Sequence, residues 1–338
     1  MATDKNVHLQ KVLDTHDINK VENLSKYLEK RDSVKNALAT KFSKEKASNP
    51  IDSGSYAKRT SINTKFDIDC CIPFLKKTNK EEEGFSSLKD MFKQVYKYLK
   101  KEYSEEDADL KKENVRKQKV SIGLKFVFDD GDEFKLDVVP GRERPNHGDY
   151  KNDNTDLSLF IHPSERSKKE ADDNKKSIKT NIKKHIGLLS GSNRTHERKV
   201  TRLLKVWKTE KKNKDGGKLI KSFMMELYTK EAFDNAYSIP NGIWEKTKLV
   251  MQYIIDNIET KDLVDPANSN NKISDAMSDS AKKDTKKAMK KTIEEIDADS
   301  DKIKVHFPIN EKYDTSNDEK NDSNKKASAS VLGVSKFG

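Results

Sequence analysis

Asp67 and Asp69 stand two residues apart in FDIDCCIPF, residues 66–74. The run is rich in strand formers, and on a strand residues two apart leave the same face. Two carboxylates on one face repel unless a cation lies between them. Hard oxygen ligands of this kind suit Mg²⁺, with Mn²⁺ also compatible. A third carboxylate, Asp137, lies within the apolar run FKLDVVP, residues 134–140. A lone Asp there is costly to bury unless it is paired or coordinated. Three such acids can hold two metal ions ~3.5–4 Å apart, the spacing that aligns an attacking hydroxyl with a departing pyrophosphate. Upstream, Gly54 and Ser55 follow Asp52-Ser53 in a turn signal. Glycine lets backbone approach a phosphate closely. Ser55, at the start of a following helix, offers a hydroxyl and an N–H to a triphosphate. Gly-Ser alone or D-x-D alone is an ordinary surface feature. What carries the assignment is their order: Gly-Ser, a short helix, a strand with D-x-D, then a later strand with Asp.

Other elements must position these groups. Residues 8–48 read as helical, with Val21, Leu24, Leu28, Val34 and Leu38 near helical spacing and Pro50 closing the stretch. A strand spans residues 66–74 and ends near Pro73. Residues 84–100 form an amphipathic helix through Phe85, Leu88, Phe92, Val95 and Leu99. A strand over 120–128 turns at Asp129-Asp130-Gly131-Asp132 and returns over 133–139, an antiparallel hairpin. From about residue 163 the texture changes. Residues 164–184 are strongly charged, and apolar positions then recur at helical spacing, from Val200 through Trp207, Trp244 and Met251 to Ile296. Both tryptophans read as core.

The fold class expected is α+β, with two lobes. A mixed-sheet lobe with an N-terminal helix spans 1–163, a helical lobe 164–310, and a disordered tail 311–338. The tail carries five basic and five acidic side chains with much Asn and Ser. The chain has 338 residues and a formal charge of +11. Much of that charge lies in residues 194–221, with eleven basic side chains against three acidic ones. Such a segment could bind RNA or DNA weakly and without sequence preference. The adjacent Cys70 and Cys71 point to opposite faces of a strand, so neither a disulfide between them nor a zinc site is expected. Cysteine usage, the absence of an apolar run of spanning length and a polar start read as cytoplasmic, with no membrane association. His147, His162, His185 and His196 lie in charged stretches and are expected at the surface.

These segments resemble the nucleotidyltransferases of the DNA polymerase β superfamily. More narrowly they resemble the bacterial CD-NTases, relatives of cyclic GMP–AMP synthase and oligoadenylate synthase. Gly54-Ser55 matches the family's Gly-Ser, and Asp67-Ile68-Asp69 its D-x-D. Leu136-Asp137-Val138-Val139-Pro140 matches its third-acid strand. RLLKVWK, with Lys205 and Trp207, resembles the spine helix whose first lysine reaches the donor triphosphate. IKSFMMELY, with Lys221 and Ser222, resembles the helix after it, and LVDPANSNN, residues 263–271, the family's DP-x-N-x-x-N segment. The likeness covers roughly residues 38–300. Residues 164–190 align with nothing, and no Cys/His zinc insertion of the animal DNA sensor is present.

The resemblance implies a monomeric enzyme acting on NTPs. Asp67 and Asp69 would bind two Mg²⁺ ions. Asp137 would bind the catalytic one and help activate a 3′- or 2′-hydroxyl. Gly54, Ser55, Lys205 and Ser222 would hold the triphosphate. The implied product is a cyclic di- or oligonucleotide messenger in bacterial antiphage (CBASS) defence. Some systems of this family carry a ubiquitin-activating-like partner that joins the synthase's last residue to another molecule, and a tail ending in Gly338 fits that habit. Two alternatives stay open. One is a template-independent transferase acting on RNA or protein, with segment 194–221 lining an acceptor channel. The other is a catalytically inactive nucleic-acid-binding regulator.

Overall fold

A computed structural model describes residues 2–314 apart from 65, 80–81, 145–148, 173 and 217–218. The chain opens with α1 (Lys5–Thr15) and α2 (Leu24–Lys41). The sheet region follows: β1 (Ile51–Ser53), α3 (Gly54–Ala57), β2 (Ile68–Phe74), α4 (Leu88–Tyr98), β3 (Val115–Lys117), β4 (Ile122–Val127), β5 (Glu133–Glu143), β6 (Leu157–Phe160) and β7 (Ser177–Thr180). Beyond it come α5 (Ile182–Gly187), α6 (Thr195–Asp215), α7 (Ser222–Asn235) and α8 (Ile243–Asn257). A short hairpin, β8 (Val264–Asp265) and β9 (Asn268–Lys272), precedes α9 (Asp279–Ala298).

The strands run in the order β1-β2-β5-β4-β3, with β6 on the far end of β5 and β7 on β6. Among the described strands only β2 and β5 pair in parallel, so the sheet is mixed. The expected hairpin of β4 and β5 is present, with Gly131 at φ +81° in its turn. Helices α2 and α4 cover the sheet. Tyr27, Val34, Leu38, Phe92 and Val95 pack with Ile68, Cys70, Ile72 and Val138 in one buried core. Cys70 and Cys71 are both buried and unbridged. A second core gathers α6, α7, α8 and α9, with Trp207 and Trp244 wholly inside.

Several elements differ from the sequence reading, each for a physical reason. The helical stretch 8–48 is two helices. The side-chain amide of Asn63 donates to the carbonyls of Thr15 and Asp17, and Asp17 caps the short turn Ile18–Lys20, so the chain breaks between α1 and α2. Leu9, Val12 and Leu13 of α1 pack into the second core rather than against the sheet. The Nε2 atoms of His8 and His16 bind the carbonyls of Phe307 and Pro308. Strand β2 begins at Ile68 and not at Phe66, because β1 turns away after Ser53, the residue opposite Asp69. Asp67 therefore precedes the strand. Helix α4 begins at Leu88, since Phe85 pairs by backbone with Leu75 and Lys77.

Strands β6 and β7 were not foreseen. The latter reads SIKT, and a short polar strand at a sheet edge shows no apolar alternation. Residues Glu311–Asp314 are held rather than loose: the Tyr313 carbonyl accepts from Lys20, and Asp314 pairs with Lys11 at 2.8 Å. Residues 315–338, and with them Gly338, lie outside the described residues, as does His147. His196 is exposed as expected, while His162 and His185 are half-buried. No helix among the described residues is long and apolar enough to cross a membrane.

Candidate active site

The site is built where β1, β2 and β5 lie side by side. Ser53 of β1 is opposite Asp69 of β2, and Asp69 is the register partner of Asp137 on β5. Register partners on neighbouring parallel strands present their side chains on one face, about 4.8 Å apart. The chain leaves β1 through Gly54 at φ +64°, a region that side-chain-bearing residues rarely adopt. There is a second constraint here. A Cβ on Gly54 would stand 1.7 Å from Asp69 Oδ2. Glycine is thus required by the carboxylate packed against it, a tighter reason than approach to a phosphate. Gly54→Ala is expected to displace that carboxylate and weaken Mg²⁺ binding about tenfold or more, read as a lost Mg²⁺-dependent rise in melting temperature. An undiminished Mg²⁺ response would contradict this geometry.

Burial, and then repulsion from Asp67 and Asp137, pushes the Asp69 carboxyl up to about 7, against the pull of Lys58 and Lys205. Burial, and then Asp67, likewise pushes Asp137 up to about 6. The Gln118 amide donates to Asp137 Oδ1 at 3.0 Å, and the Ser121 hydroxyl donates to Gln118 Oε1 at 2.7 Å. Gly123 faces Asp137 from β4, and a Cβ there would stand 2.5 Å from Gln118 Nε2. The bare glycine leaves the space through which Gln118 reaches the acid.

Among the described residues no group of three or more His, Cys, Asp or Glu side chains is arranged to hold a metal ion by itself. Mg²⁺ seldom needs such a group. It takes one or two carboxylates together with water and substrate phosphates. An all-oxygen set of partly buried acids whose mutual repulsion a divalent cation would relieve fits that open kind of site. Asp67, Asp69 and Asp137 are the residues that could hold it.

A cavity of about 420 Å³ opens beside Asp67 and Asp69, lined also by Ser55, Lys205, Ser222 and Glu226 among others. Its size is that of a small-molecule site. Ser55 Oγ lies 2.8 Å from Ser61 Oγ. Ser222 is the first residue of α7, and its Oγ accepts from Lys208 at 3.2 Å. Lys205 is placed differently from a lysine reaching into open space. Its Nζ donates to the Thr60 carbonyl at 3.0 Å, to Thr60 Oγ1 at 2.9 Å and to Glu226 Oε1 at 3.1 Å. An ammonium has three protons, and these three bonds use them all. Burial lowers the pKa of Lys205 against the pull of Glu226.

Glu226 also accepts from Thr60 and pairs with Lys58. Burial pushes its carboxyl up, but Lys58 and Lys205 outweigh that and hold it below the usual range. The Lys58 ammonium sits 4.9 Å above the Phe223 ring. Sequence reasoning singled out none of Lys58, Thr60, Gln118 and Glu226. Glu226 had a signal of the kind used for Asp137: an acid inside the apolar run FMMEL.

Lys58 and Phe223 also line a second cavity, of about 860 Å³. Gly54, His185, Asp265 and Asn271 line it too. The segment of residues 263–271 makes the β8–β9 turn here. Asp265 accepts from His185 Nε2 at 2.7 Å, the Ala267 N–H at 2.9 Å and the Asn271 amide at 3.2 Å.

A mixed sheet carrying a Gly-Ser turn and facing acids, set beside a helical core, is the architecture of polymerase-β-like nucleotidyltransferases. Solved structures narrow the class to the fold of the bacterial CD-NTases. Escherichia coli MS115-1 CdnC, solved with ATP, matches with a TM-score of 0.64 at 18% identity, over 87% of this chain and 91% of that one. Bradyrhizobium diazoefficiens CdnG, solved with GTP, matches with a TM-score of 0.64 at 11% identity, over 90% and 95%. Vibrio cholerae DncV, a cyclic AMP–GMP synthase, matches with a TM-score of 0.55 at 15% identity, over 77% and 68%. No protein-family model and no curated protein matches the sequence. The likeness is one of fold.

Proposed function

We propose that this chain is a metal-dependent nucleotidyltransferase that builds a cyclic di- or oligonucleotide from NTPs. The observation that carries the reading is the parallel register of Asp69 with Asp137, with Gly54 packed against Asp69 and Ser55 and Asp69 at the wall of the 420 Å³ cavity. The solved neighbours support it. DncV was solved with the linear intermediate pppA(3′,5′)pG, CdnC with ATP and CdnG with GTP.

The residues divide the work. Asp67, Asp69 and Asp137 would hold two Mg²⁺ or Mn²⁺ ions, which supply Lewis acidity and charge neutralisation when bound. Asp137, whose Oδ1 accepts from the Gln118 amide, would take the proton of the acceptor hydroxyl. That oxygen attacks the α-phosphorus, the bond to the bridging oxygen breaks, and pyrophosphate leaves. Ser55 and Ser222 hold phosphate oxygens, and Lys58 offsets the charge on the departing pyrophosphate. Lys205 braces the wall through Glu226 and Thr60.

The setting proposed is CBASS antiphage defence in the bacterial cytoplasm. CdnC was also solved in a complex with HORMA-deltaN, and by that likeness a protein partner is proposed here as well. Conjugation at Gly338 and weak RNA or DNA binding along residues 194–221 stay part of the proposal. For the latter, Arg202 and Lys214 already have acidic partners in Asp17 and Glu210. Incubation with the four NTPs and Mg²⁺, followed by mass spectrometry, tests the reading. Cyclic products support it. Products extended only on RNA or protein favour the template-independent alternative, and no pyrophosphate release under any condition favours the inactive regulator.

The acids also set a pH dependence. Asp69 and Asp137 titrate higher in the folded chain than the ordinary value of 3.8. Protonated, they are tolerated; ionised without metal, they repel. Their contribution to stability is therefore full below about pH 4 and is lost as pH rises through about 6 to 7. Metal-free protein is expected to lose on the order of a few kcal/mol between pH 5 and 8 from these groups. Added Mg²⁺ should raise the melting temperature more at pH 8 than at pH 5. An equal Mg²⁺ effect at both would count against the metal assignment.

A further inference from the structure

A further cavity, of about 490 Å³, shares only Ser61 with the 420 Å³ cavity among the described residues. Asp17, Asp52, Tyr56, Arg59 and Arg202 line it. Both acids are already engaged. Asp52 pairs with Arg31 at 3.0 Å and with Lys35 at 2.9 Å. Asp17 caps the Ile18–Lys20 turn and meets Arg202 at 3.4 Å. The arginines are not matched in the same way. Arg59 is exposed, and its guanidinium has no hydrogen bond or ion pair among the described residues. Arg202 makes only the long contact to Asp17 among them, and its Nε is shut off from solvent without a partner. A guanidinium carries five N–H donors in a fixed fork that matches phosphate oxygens. Arg59 also stands at φ +57°, a backbone conformation that residues other than glycine seldom hold unless their surroundings impose it. It belongs to residues 58–61, the loop after α3, and the same loop builds the reaction centre. Thr60 binds Lys205 and Glu226, and Ser61 Oγ lies 2.8 Å from Ser55 Oγ.

We infer that this cavity is an effector site for a small phosphate-bearing ligand, held by Arg59 and Arg202, whose binding steadies the loop after α3 and tightens the hold on NTP. The volume is that of a small-molecule site. A polynucleotide fits the wall less well. Its backbone brings a charge every few ångströms, and Asp17 and Asp52 stand among the lining residues. A single phosphate needs only the two guanidiniums. Once it holds Arg59, the left-handed turn has a partner outside the loop, and Ser61 and Thr60 are fixed in the positions that support Ser55 and Lys205. Less ordering is then left for NTP to bring about, which is positive coupling between the two cavities. The coupling rests on the nucleotidyltransferase reading; the phosphate site does not.

The test titrates inorganic phosphate, followed by ³¹P spectra, into the full chain without Mg²⁺ and into Arg59→Gly, Arg202→Gln and Ser222→Ala. Glycine adopts a left-handed backbone freely, so Arg59→Gly removes the guanidinium and keeps the turn, and it should melt at or above the wild type. Each arginine variant should bind phosphate about tenfold more weakly or worse. Ser222→Ala, in the other cavity, should bind as the wild type does. No binding by the wild type overturns the inference. So does binding lost in Ser222→Ala and kept in Arg59→Gly, which would place the anion among the catalytic residues. Duplex DNA that binds through Arg59 where phosphate does not also overturns it. A second measurement reads the coupling without turnover. With Mg²⁺ present, phosphate should lower the Kd for the non-hydrolysable α,β-methylene-ATP about fivefold or more in the wild type and leave Arg59→Gly unchanged. A rise in Kd, or the same response in both proteins, overturns the effector role. A wild type that releases no pyrophosphate from any NTP would sink the transferase reading, while the phosphate titrations would still judge this site.

Discussion

Asparagine at position 69 is expected to reduce nucleotide transfer by about a thousandfold or more, measured as pyrophosphate release under saturating NTP and Mg²⁺. The amide keeps the shape that Gly54 accommodates and removes the charge that a divalent cation needs. A purely structural residue would behave differently in one respect. In the metal-free chain the Asp69 carboxylate is penalised by burial and by Asp67 and Asp137. Asp69→Asn should therefore melt at or above the wild-type temperature at pH 8 while losing turnover. A variant that keeps a tenth of the activity, or that melts well below wild type, would remove Asp69 from the role given to it.

The largest stability effect is expected at Glu226. Its side chain is 3% exposed and faces two lysines, Lys58 and Lys205, with Thr60 donating to the same carboxylate. Glu226→Gln keeps the volume and leaves two largely buried cations without a counter-charge. Breaking a buried pair from one side costs about 3–5 kcal/mol. Chemical denaturation should show a loss of that order. Adding Lys205→Met should recover part of it, because one of the stranded charges is then gone. Were Glu226→Gln as stable as the wild type, the network would be a surface feature in solution and the cavity wall would need another explanation.

The acids were legible because an aspartate inside an apolar strand is expensive, and Asp69 and Asp137 each interrupt such a strand. The Gly-Ser turn was legible as a turn. Its closer reason, the carboxylate against Gly54, was not, since a contact across strands leaves no mark on local spacing. The partnership of β2 with β5 was equally invisible: periodicity announces a strand without naming its neighbour. Lys205 was singled out only through the resemblance, as a triphosphate contact; its three bonds to Thr60 and Glu226 arise from the packing of α6 and α7 on the loop after α3. Gln118 lies in a polar connection and reads as surface until β4 and β5 bring it under Asp137. His185 lies in a charged stretch, which suggested exposure; only the β8–β9 turn provides the acid that claims it.

The parallel pairing of β2 with β5 bears on how this protein comes to be made. Strands β4 and β5 meet across a short turn, and such hairpins form within microseconds. Strand β2 must instead find β5 with each residue pairing 68 positions along the chain, as Asp69 does with Asp137, a non-local closure of the kind that slows folding. Asp69 and Asp137 belong to the two halves of that late event. A nascent or partly folded chain can hold its hairpin, its Gly-Ser loop and much of its helical core while the two acids are still apart. The facing of the two acids therefore depends on a non-local pairing that no hairpin can supply.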